Sequence, residues 1–180
     1  MHGIIHLELQ KFVEHVHGKE TWRELLRRAG VESEIYTPLR AYPDEQVVNL
    51  VSAAVEATGT PAADILEAFG EFLVPTYLSV YGVLVRPEWR TLELIEHTEE
   101  VIHRVVRTRQ PGARPPSLSV ERVGPHEIVV LYTSARRLCA VARGIVRGVA
   151  KHFEEHVTIH DDRCMLKGDR ACALRVRREA

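Results

Sequence analysis

Apolar residues recur at helical spacing along most of the first 108 residues, and this pattern predicts a series of helices. The predicted helices span about residues 4–16, 20–28, 44–58, 60–72 and 88–108. Asp44 is expected to cap the third helix, and Gly59 is expected to end it. Pro75 and Gly82 are expected to break any continuation of the fourth helix. Pro87 is placed to start the fifth and most regular helix.

Alternating residues and turn signals replace the helical pattern in the second half of the chain. Residues 109–116 contain Gly112 and three prolines, which predicts a rigid, extended connector. Strands are predicted at about 117–123, 128–133, 156–160 and 171–176, and a helix is predicted from about Ser134 to Phe153. Gly124-Pro125 is the turn signal of the first hairpin. A helical first half followed by hairpin, helix and hairpin predicts an α+β fold in one domain of residues 1–180.

Composition and charge exclude several broad classes of protein. Lys plus Arg number 24 and Asp plus Glu number 25, so the basic excess typical of nucleic-acid binding is missing. No run of 18 apolar residues exists, and the opening residues do not resemble a signal peptide, so we expect a cytoplasmic chain. No nucleophile–base pair, phosphate loop or carboxylate pair with recognisable spacing is present, so we do not expect an enzyme.

Tyr132, Ser134 and Arg136 form a cluster at a predicted strand-to-helix turn. Two hydroxyls and a guanidinium that converge there would suit a carboxylate, because the planar arginine side chain can donate two parallel hydrogen bonds. The alternative is ordinary helix capping beside a surface arginine.

His103 lies among apolar residues on the long predicted helix, 29 residues before Tyr132. Neutral imidazole is a standard axial ligand of haem iron, although a histidine in such a position is more often a buried structural residue. His97 is the competing candidate on the same helix. It is six residues upstream, so the two rings cannot face one pocket equally.

The order and spacing of these features resemble the haem-nitric-oxide/oxygen-binding (H-NOX) family of bacterial stand-alone sensors. The resemblance is carried by Tyr132-x-Ser134-x-Arg136, by His103, by Pro115-Pro116 between them, and by the opening Met1-His2-Gly3-Ile4-Ile5. It implies haem b with His103 as the proximal iron ligand. It further implies that Tyr132, Ser134 and Arg136 bind the haem propionates and that Pro116 packs against the porphyrin. A helical distal subdomain of about residues 1–62 and a proximal subdomain of about 63–180 are expected.

The same resemblance implies which gases bind. Oxygen-binding members carry a distal tyrosine five residues after the motif arginine, and that position is Val141 here. Ile5, Leu9, Val141 and Ile145 are expected to line an apolar distal pocket. Without a donor for bound dioxygen, such a pocket should bind nitric oxide and carbon monoxide but not dioxygen stably.

Three cysteines, Cys139, Cys164 and Cys172, suggest a second site. An odd number of cysteines in a reducing compartment favours a structural zinc site over disulfides, with three reduced thiols as the alternative. Some H-NOX proteins resemble this arrangement but have a histidine where this chain has Asp161. The fourth ligand is therefore either Asp161 or the adjacent His160.

The resemblance implies a gas sensor that signals through movement of the His103 helix. No kinase, cyclase or methyl-accepting segment is present, so the expected partner is a separate histidine kinase or diguanylate cyclase. The alternative is a haem-free relative that binds another ligand or serves as a scaffold.

Overall fold

Four helices make up the first half of the chain. In the computed structural model, which describes residues 1, 3–32, 35–38, 40–109 and 113–179, they are α1 (Gly3–His17), α2 (Lys19–Arg28), α3 (Asp44–Thr58) and α4 (Ala62–Tyr81). Gly59 ends α3 in the left-handed conformation, with φ 69°, as predicted. His2 of the opening motif and residues 110–112 of the predicted connector lie outside the described residues.

The second half alternates helices and antiparallel strands. A 3₁₀ turn (Gly82–Leu84) leads to α5 (Thr91–His97), a π-helical turn (Thr98–His103) and α6 (Arg104–Arg109). Then follow β1 (Ser117–Gly124), β2 (Glu127–Thr133), α7 (Cys139–His152), β3 (Val157–Arg163), a 3₁₀ turn (Met165–Lys167) and β4 (Cys172–Arg178). The predicted α+β class is therefore confirmed.

The four strands form one antiparallel sheet in the order β1-β2-β4-β3. Both predicted hairpins are present, and a two-residue turn after Gly124 joins β1 to β2. Alternate residues of β2 are buried, among them Ile128 and Val130, so one face of the sheet packs on the core. Leu174 and Val176 of β4 extend this buried face.

The predicted break at Pro75 is wrong, because α4 continues through it to Tyr81. Proline removes one backbone hydrogen bond from a helix. Here the helix packs along its length on α7, where Gly144 and Gly148 let the two backbones approach closely. This tertiary packing outweighs the local cost of Pro75.

One predicted helix cap and two predicted helix starts also differ from the structure. Asp44 is the first residue of α3 and makes no capping hydrogen bond. The fifth helix begins at Thr91, because Pro87 lies in a turn that the Trp89 N–H closes by donating to the Arg86 carbonyl oxygen. The last helix begins at Cys139, because Ser134 starts a separate turn, in which its carbonyl oxygen accepts a hydrogen bond from the backbone N–H of Arg137.

Two main groups of buried side chains hold the fold together. One group lies among α1–α4 and includes Phe69 and Leu73. The other lies between the sheet and the helices α5 and α7, and it includes Leu92 and Ile128. None of the helices in the described ranges combines the length and the apolar character that crossing a membrane would require.

Candidate functional site

One cavity collects most of the residues that the sequence singled out. Its volume is about 270 Å³. This is close to the lower end of the roughly 300–1,000 Å³ of typical small-molecule pockets. The wall includes His103, Pro116, Tyr132, Ser134, Arg136, Ile5, Val141 and Ile145.

Leu9, the remaining residue predicted for the distal pocket, is not among the described residues that line the cavity. Its side chain is 3% exposed and belongs to the core among the N-terminal helices. Tyr77 of α4 does line the cavity, and the sequence analysis missed it. Burial raises the pKa of the Tyr77 phenol well above its usual range, so this phenol stays protonated.

His103 ends the π-helical turn, and its side chain is 14% exposed. Its Nδ1 atom lies 2.9 Å from Oε2 of Glu99, one helical turn earlier. Burial lowers the pKa of His103 below its usual range, although the Glu99 carboxylate opposes this shift. The ring is therefore neutral near pH 7, as ligation of a metal requires. His97 stacks on Trp89 instead, with a ring separation of 4.6 Å, and it does not line the cavity in the described part of the chain.

The cluster of Tyr132, Ser134 and Arg136 lies where β2 leads into the turn before α7. Tyr132 is buried at the end of β2, and burial raises the pKa of its phenol. The Ser134 hydroxyl oxygen accepts a hydrogen bond from the Arg136 backbone N–H at 3.3 Å. Arg136 Nη1 donates to the Arg114 carbonyl oxygen at 2.6 Å, which ties the turn to the connector before β1.

Asp44 is a partner of Arg136 that the sequence analysis did not identify. Its Oδ2 atom lies 2.9 Å from Arg136 Nε, and its Oδ1 atom lies 2.6 Å from the N-terminal ammonium group of Met1. The sequence offered no signal for this pair, because an aspartate at the start of a helix is also typical of a cap.

The donor set fits a haem. His103 lines the same cavity as Tyr132, Ser134 and Arg136, and Arg114 is a second arginine in a wall that is otherwise mainly apolar. An imidazole nitrogen is one of the ligands that proteins use for haem iron, the porphyrin ring favours an apolar environment, and the two carboxylates favour hydrogen-bond donors. The cavity wall provides all three.

The three cysteines meet in a second, separate cluster. The sulfur atoms of Cys139, Cys164 and Cys172 all lie within 4.8 Å of one another, and all three residues are buried. The Met165 backbone N–H donates to the Cys172 sulfur at 3.2 Å. Burial raises the pKa of Cys139, because a thiolate there would be poorly solvated and close to the other sulfurs. The three soft ligands are suited to zinc.

Neither candidate for the fourth ligand joins the sulfur cluster directly. Asp161 Oδ2 accepts a hydrogen bond from Arg143 at 2.9 Å, whereas its Oδ1 atom is buried and has no hydrogen-bond partner among the described residues. Burial and the nearby Asp161 carboxylate would raise the pKa of the Cys164 thiol, but hydrogen bonds with the Leu166 backbone and the neighbouring sulfurs lower it overall. His160 points away from the core, because its side chain is 77% exposed and pairs with Asp162.

Comparisons with known proteins agree with this site. A family model described as haem-NO-binding matches residues 2–161. A crystal structure of an H-NOX protein from S. oneidensis in the Fe(II)NO ligation state is 27% identical, with a TM-score of 0.93 over 100% of both chains.

Curated relatives include soluble guanylate cyclase 89Db of Drosophila melanogaster, 23% identical over 155 residues. Soluble guanylate cyclase gcy-35 of Caenorhabditis elegans is 27% identical over 161 residues. Both matches cover 85% of this chain but only 23% of the length of the relative. Domains of the matched family bind haem and gas ligands such as nitric oxide, and they are sensors rather than catalysts. The chain belongs to the haem-NO-binding, or H-NOX, family.

Proposed function

We propose that this chain is a haem-based gas sensor that binds nitric oxide and carbon monoxide but does not bind dioxygen stably. The observation that carries the proposal is that the His103 ring and the cluster of Tyr132, Ser134 and Arg136 line one cavity. The H-NOX relationship supports the same reading.

Each of these residues has a separate role in holding haem b. The bound haem supplies a ferrous iron with a coordination position that accepts a gas molecule. His103 would supply the nitrogen that holds the iron, and Tyr132, Ser134 and Arg136 would donate hydrogen bonds to the propionates. Pro116, which also lines the cavity, packs against the porphyrin.

The selectivity against dioxygen is assigned to the apolar part of the wall. Ile5, Val141 and Ile145 contribute aliphatic side chains there, and Leu9 supports α1 from the core behind them. We assign Ile5 and Leu9 to a distal subdomain of about residues 1–62, whereas Val141 and Ile145 belong to α7. The proximal subdomain, about residues 63–180, then begins with α4.

His103 also provides the output of the proposed sensor. His103 would hold the iron from the π-helical turn Thr98–His103, and π-helical segments are frequent at functional sites. Movement of this turn would bias a partner protein. By resemblance to stand-alone bacterial members, we propose a separate cytoplasmic histidine kinase or diguanylate cyclase as this partner.

We further propose that the cysteine cluster binds a structural zinc ion. Cys139, Cys164 and Cys172 supply three sulfur ligands, and the buried, unpartnered Oδ1 of Asp161 favours this carboxylate over His160 as the fourth. Such a site would join α7 to the hairpin of β3 and β4.

Absorption spectra of the reduced protein, with and without nitric oxide, test the sensor function. We expect a Soret band that shifts on addition of the gas. The His103→Gly variant should lose haem unless imidazole is added, whereas the control variant His97→Gly should keep it. A His103→Gly protein that keeps its pigment without imidazole and responds to the gas normally would contradict the proposal. Absence of a Soret band in the wild type would favour the haem-free alternative.

A further inference from the structure

The carboxylate of Glu99 connects three parts of the structure around His103. Its Oε2 atom lies 2.9 Å from His103 Nδ1 and 3.0 Å from the backbone nitrogen of Leu118 in β1. Its Oε1 atom accepts a hydrogen bond from Arg107 in α6. The Glu99 side chain is only 26% exposed. One carboxylate therefore contacts the π-helical turn, the next helix and the first strand of the sheet.

The contact with Oε2 determines which nitrogen of His103 carries the proton. An ionised carboxylate can only accept hydrogen bonds, so Nδ1 must carry the proton that it shares with Glu99. In a neutral ring the lone pair then lies on Nε2. The second donor to Oε2, the Leu118 N–H, belongs to the backbone of the sheet and fixes the position of the carboxylate.

We propose that Glu99 is a positioning residue for His103: it holds the ring in the tautomer that presents Nε2 to the iron, and it strengthens that nitrogen as a ligand. This inference rests on the proposed ligation of haem iron by His103. A carboxylate that accepts the other N–H of a ligating histidine raises the basicity of the ligand.

The same contact gives the His103 turn a physical link to the sheet. Leu118 lies two residues after Pro116, at the second position of β1, so displacement of the π-helical turn must either break the hydrogen bond from Leu118 or pull on the start of β1. Arg107 holds the opposite oxygen of the same carboxylate. Glu99 therefore resists movement of the turn as long as its three contacts persist.

The neighbouring residue Glu100 provides a matched control. It carries the same charge in the same π-helical turn, but it is exposed to solvent. Glu99→Gln and Glu100→Gln remove equal charge at adjacent positions, and only the first alters the partner of His103. Long-range electrostatic effects should therefore be similar in the two variants, whereas effects through the His103 ring should appear only in Glu99→Gln.

The experiment measures the iron–histidine stretching band by resonance Raman and the reduction potential of the haem-loaded protein. We expect Glu99→Gln to lower the stretching frequency and raise the potential, and to weaken haem affinity by about 10-fold. Glu99→Asp should restore part of each change, and Glu100→Gln should resemble the wild type. If Glu99→Gln leaves both the band and the potential at wild-type values, the inference is overturned while haem binding by His103 stands.

A measurement without haem separates this inference from the proposed function. In ¹⁵N NMR spectra of the haem-free protein above neutral pH, His103 should show protonated Nδ1 in the wild type and a mixture of neutral tautomers in Glu99→Ala. A tautomer mixture in the wild type would overturn the positioning role. If the wild type takes up no haem, the proposed function fails together with the ligand-strengthening role, and the NMR result still decides whether Glu99 orients the ring.

Discussion

Gly70 of α4 and Gly144 of α7 meet backbone to backbone, so that a Cβ atom added to either glycine would lie 2.9 Å from the Cα atom of the other. Both helices also contribute to the cavity wall, through Val74 of α4 and through Val141 and Ile145 of α7. The close approach of the two glycines therefore determines the distance between two walls of the proposed haem site.

Substitution of Gly144 by alanine should separate these two helices. Its new Cβ atom would lie 1.9 Å from the carbonyl oxygen of Glu67, which is backbone and cannot rotate away. We expect Gly144→Ala to lower the free energy of unfolding by about 1–3 kcal/mol or more, as measured by equilibrium urea denaturation.

Gly82→Ala is the control for this substitution. Gly82 has φ −59°, and no atom within 4 Å would meet its Cβ. The free energy of unfolding of Gly82→Ala should be unchanged or higher by about 0.5 kcal/mol, because alanine restricts the conformations of the unfolded chain. Equal stability of Gly144→Ala and the wild type would contradict the observed helix contact.

The Asp44–Arg136 pair should make stability depend on acid pH. Burial alone would raise the pKa of Asp44, but the ion pairs with the N-terminal ammonium group and with Arg136 lower it below its usual value of 3.8. A carboxyl group with a lowered pKa in the folded state stabilises the protein above its unfolded-state pKa. That stabilisation is lost as the pH falls through the folded-state value.

Asp44→Asn should therefore lower the free energy of unfolding by about 0.2–1 kcal/mol at neutral pH. This value is small because the Asp44 side chain is 42% exposed and the pair is screened by solvent. Near pH 3 the difference in free energy of unfolding between Asp44→Asn and the wild type should be smaller. Urea midpoints at both pH values measure this, with Asp64→Asn, an exposed acid in the first turn of α4, as control. If Asp44→Asn is less stable than the wild type by the same amount at both pH values, the ion pair of Asp44 with Arg136 is not the cause of the stability loss.

The class of fold and the order of its elements could be predicted from sequence because their causes are local. Residue alternation identifies the strands of both hairpins, and the turn at Gly124-Pro125 sets where β1 and β2 pair. The continuity of α4 through Pro75 could not be predicted, because it depends on contacts with α7, which is distant in sequence.

The candidate site shows the same division between local pattern and distant contact. His103 and the cluster of Tyr132, Ser134 and Arg136 could be identified, since their residue types and order match a family pattern. Asp44 was interpreted as a helix cap, and Glu99 was not singled out at all. Asp44 acts through Arg136, 92 residues away along the sequence, which only the folded chain brings near it. Glu99 lies one helical turn before His103, a spacing that the sequence does show, but its contact with the Leu118 backbone depends on the fold.

Metal analysis of purified variants tests the proposed zinc site and its fourth ligand. We expect about one zinc ion per chain in the wild type, and loss of the metal in Cys172→Ser, because structural zinc sites need four ligands. Asp161→Asn should weaken zinc binding by about 10-fold or more, whereas His160→Ala should retain it. Zinc loss in His160→Ala with retention in Asp161→Asn would assign the fourth ligand to His160 instead.

Substitution of Val141 by tyrosine should allow the protein to bind dioxygen stably. Val141 lines the cavity from α7, and a tyrosine there could donate a hydrogen bond to bound dioxygen, which carries partial negative charge. Hydrogen bonds to charged groups contribute about 1.5–3 kcal/mol, so dioxygen affinity should rise by about 10- to 100-fold in Val141→Tyr. Absorption spectra of the reduced protein in air would show a stable oxygen complex. Val141→Phe supplies similar bulk without the hydroxyl and should behave like the wild type in this assay.

Stable dioxygen binding by the wild type itself would instead identify another donor, and Tyr77→Phe would then test whether the phenol on α4 provides it.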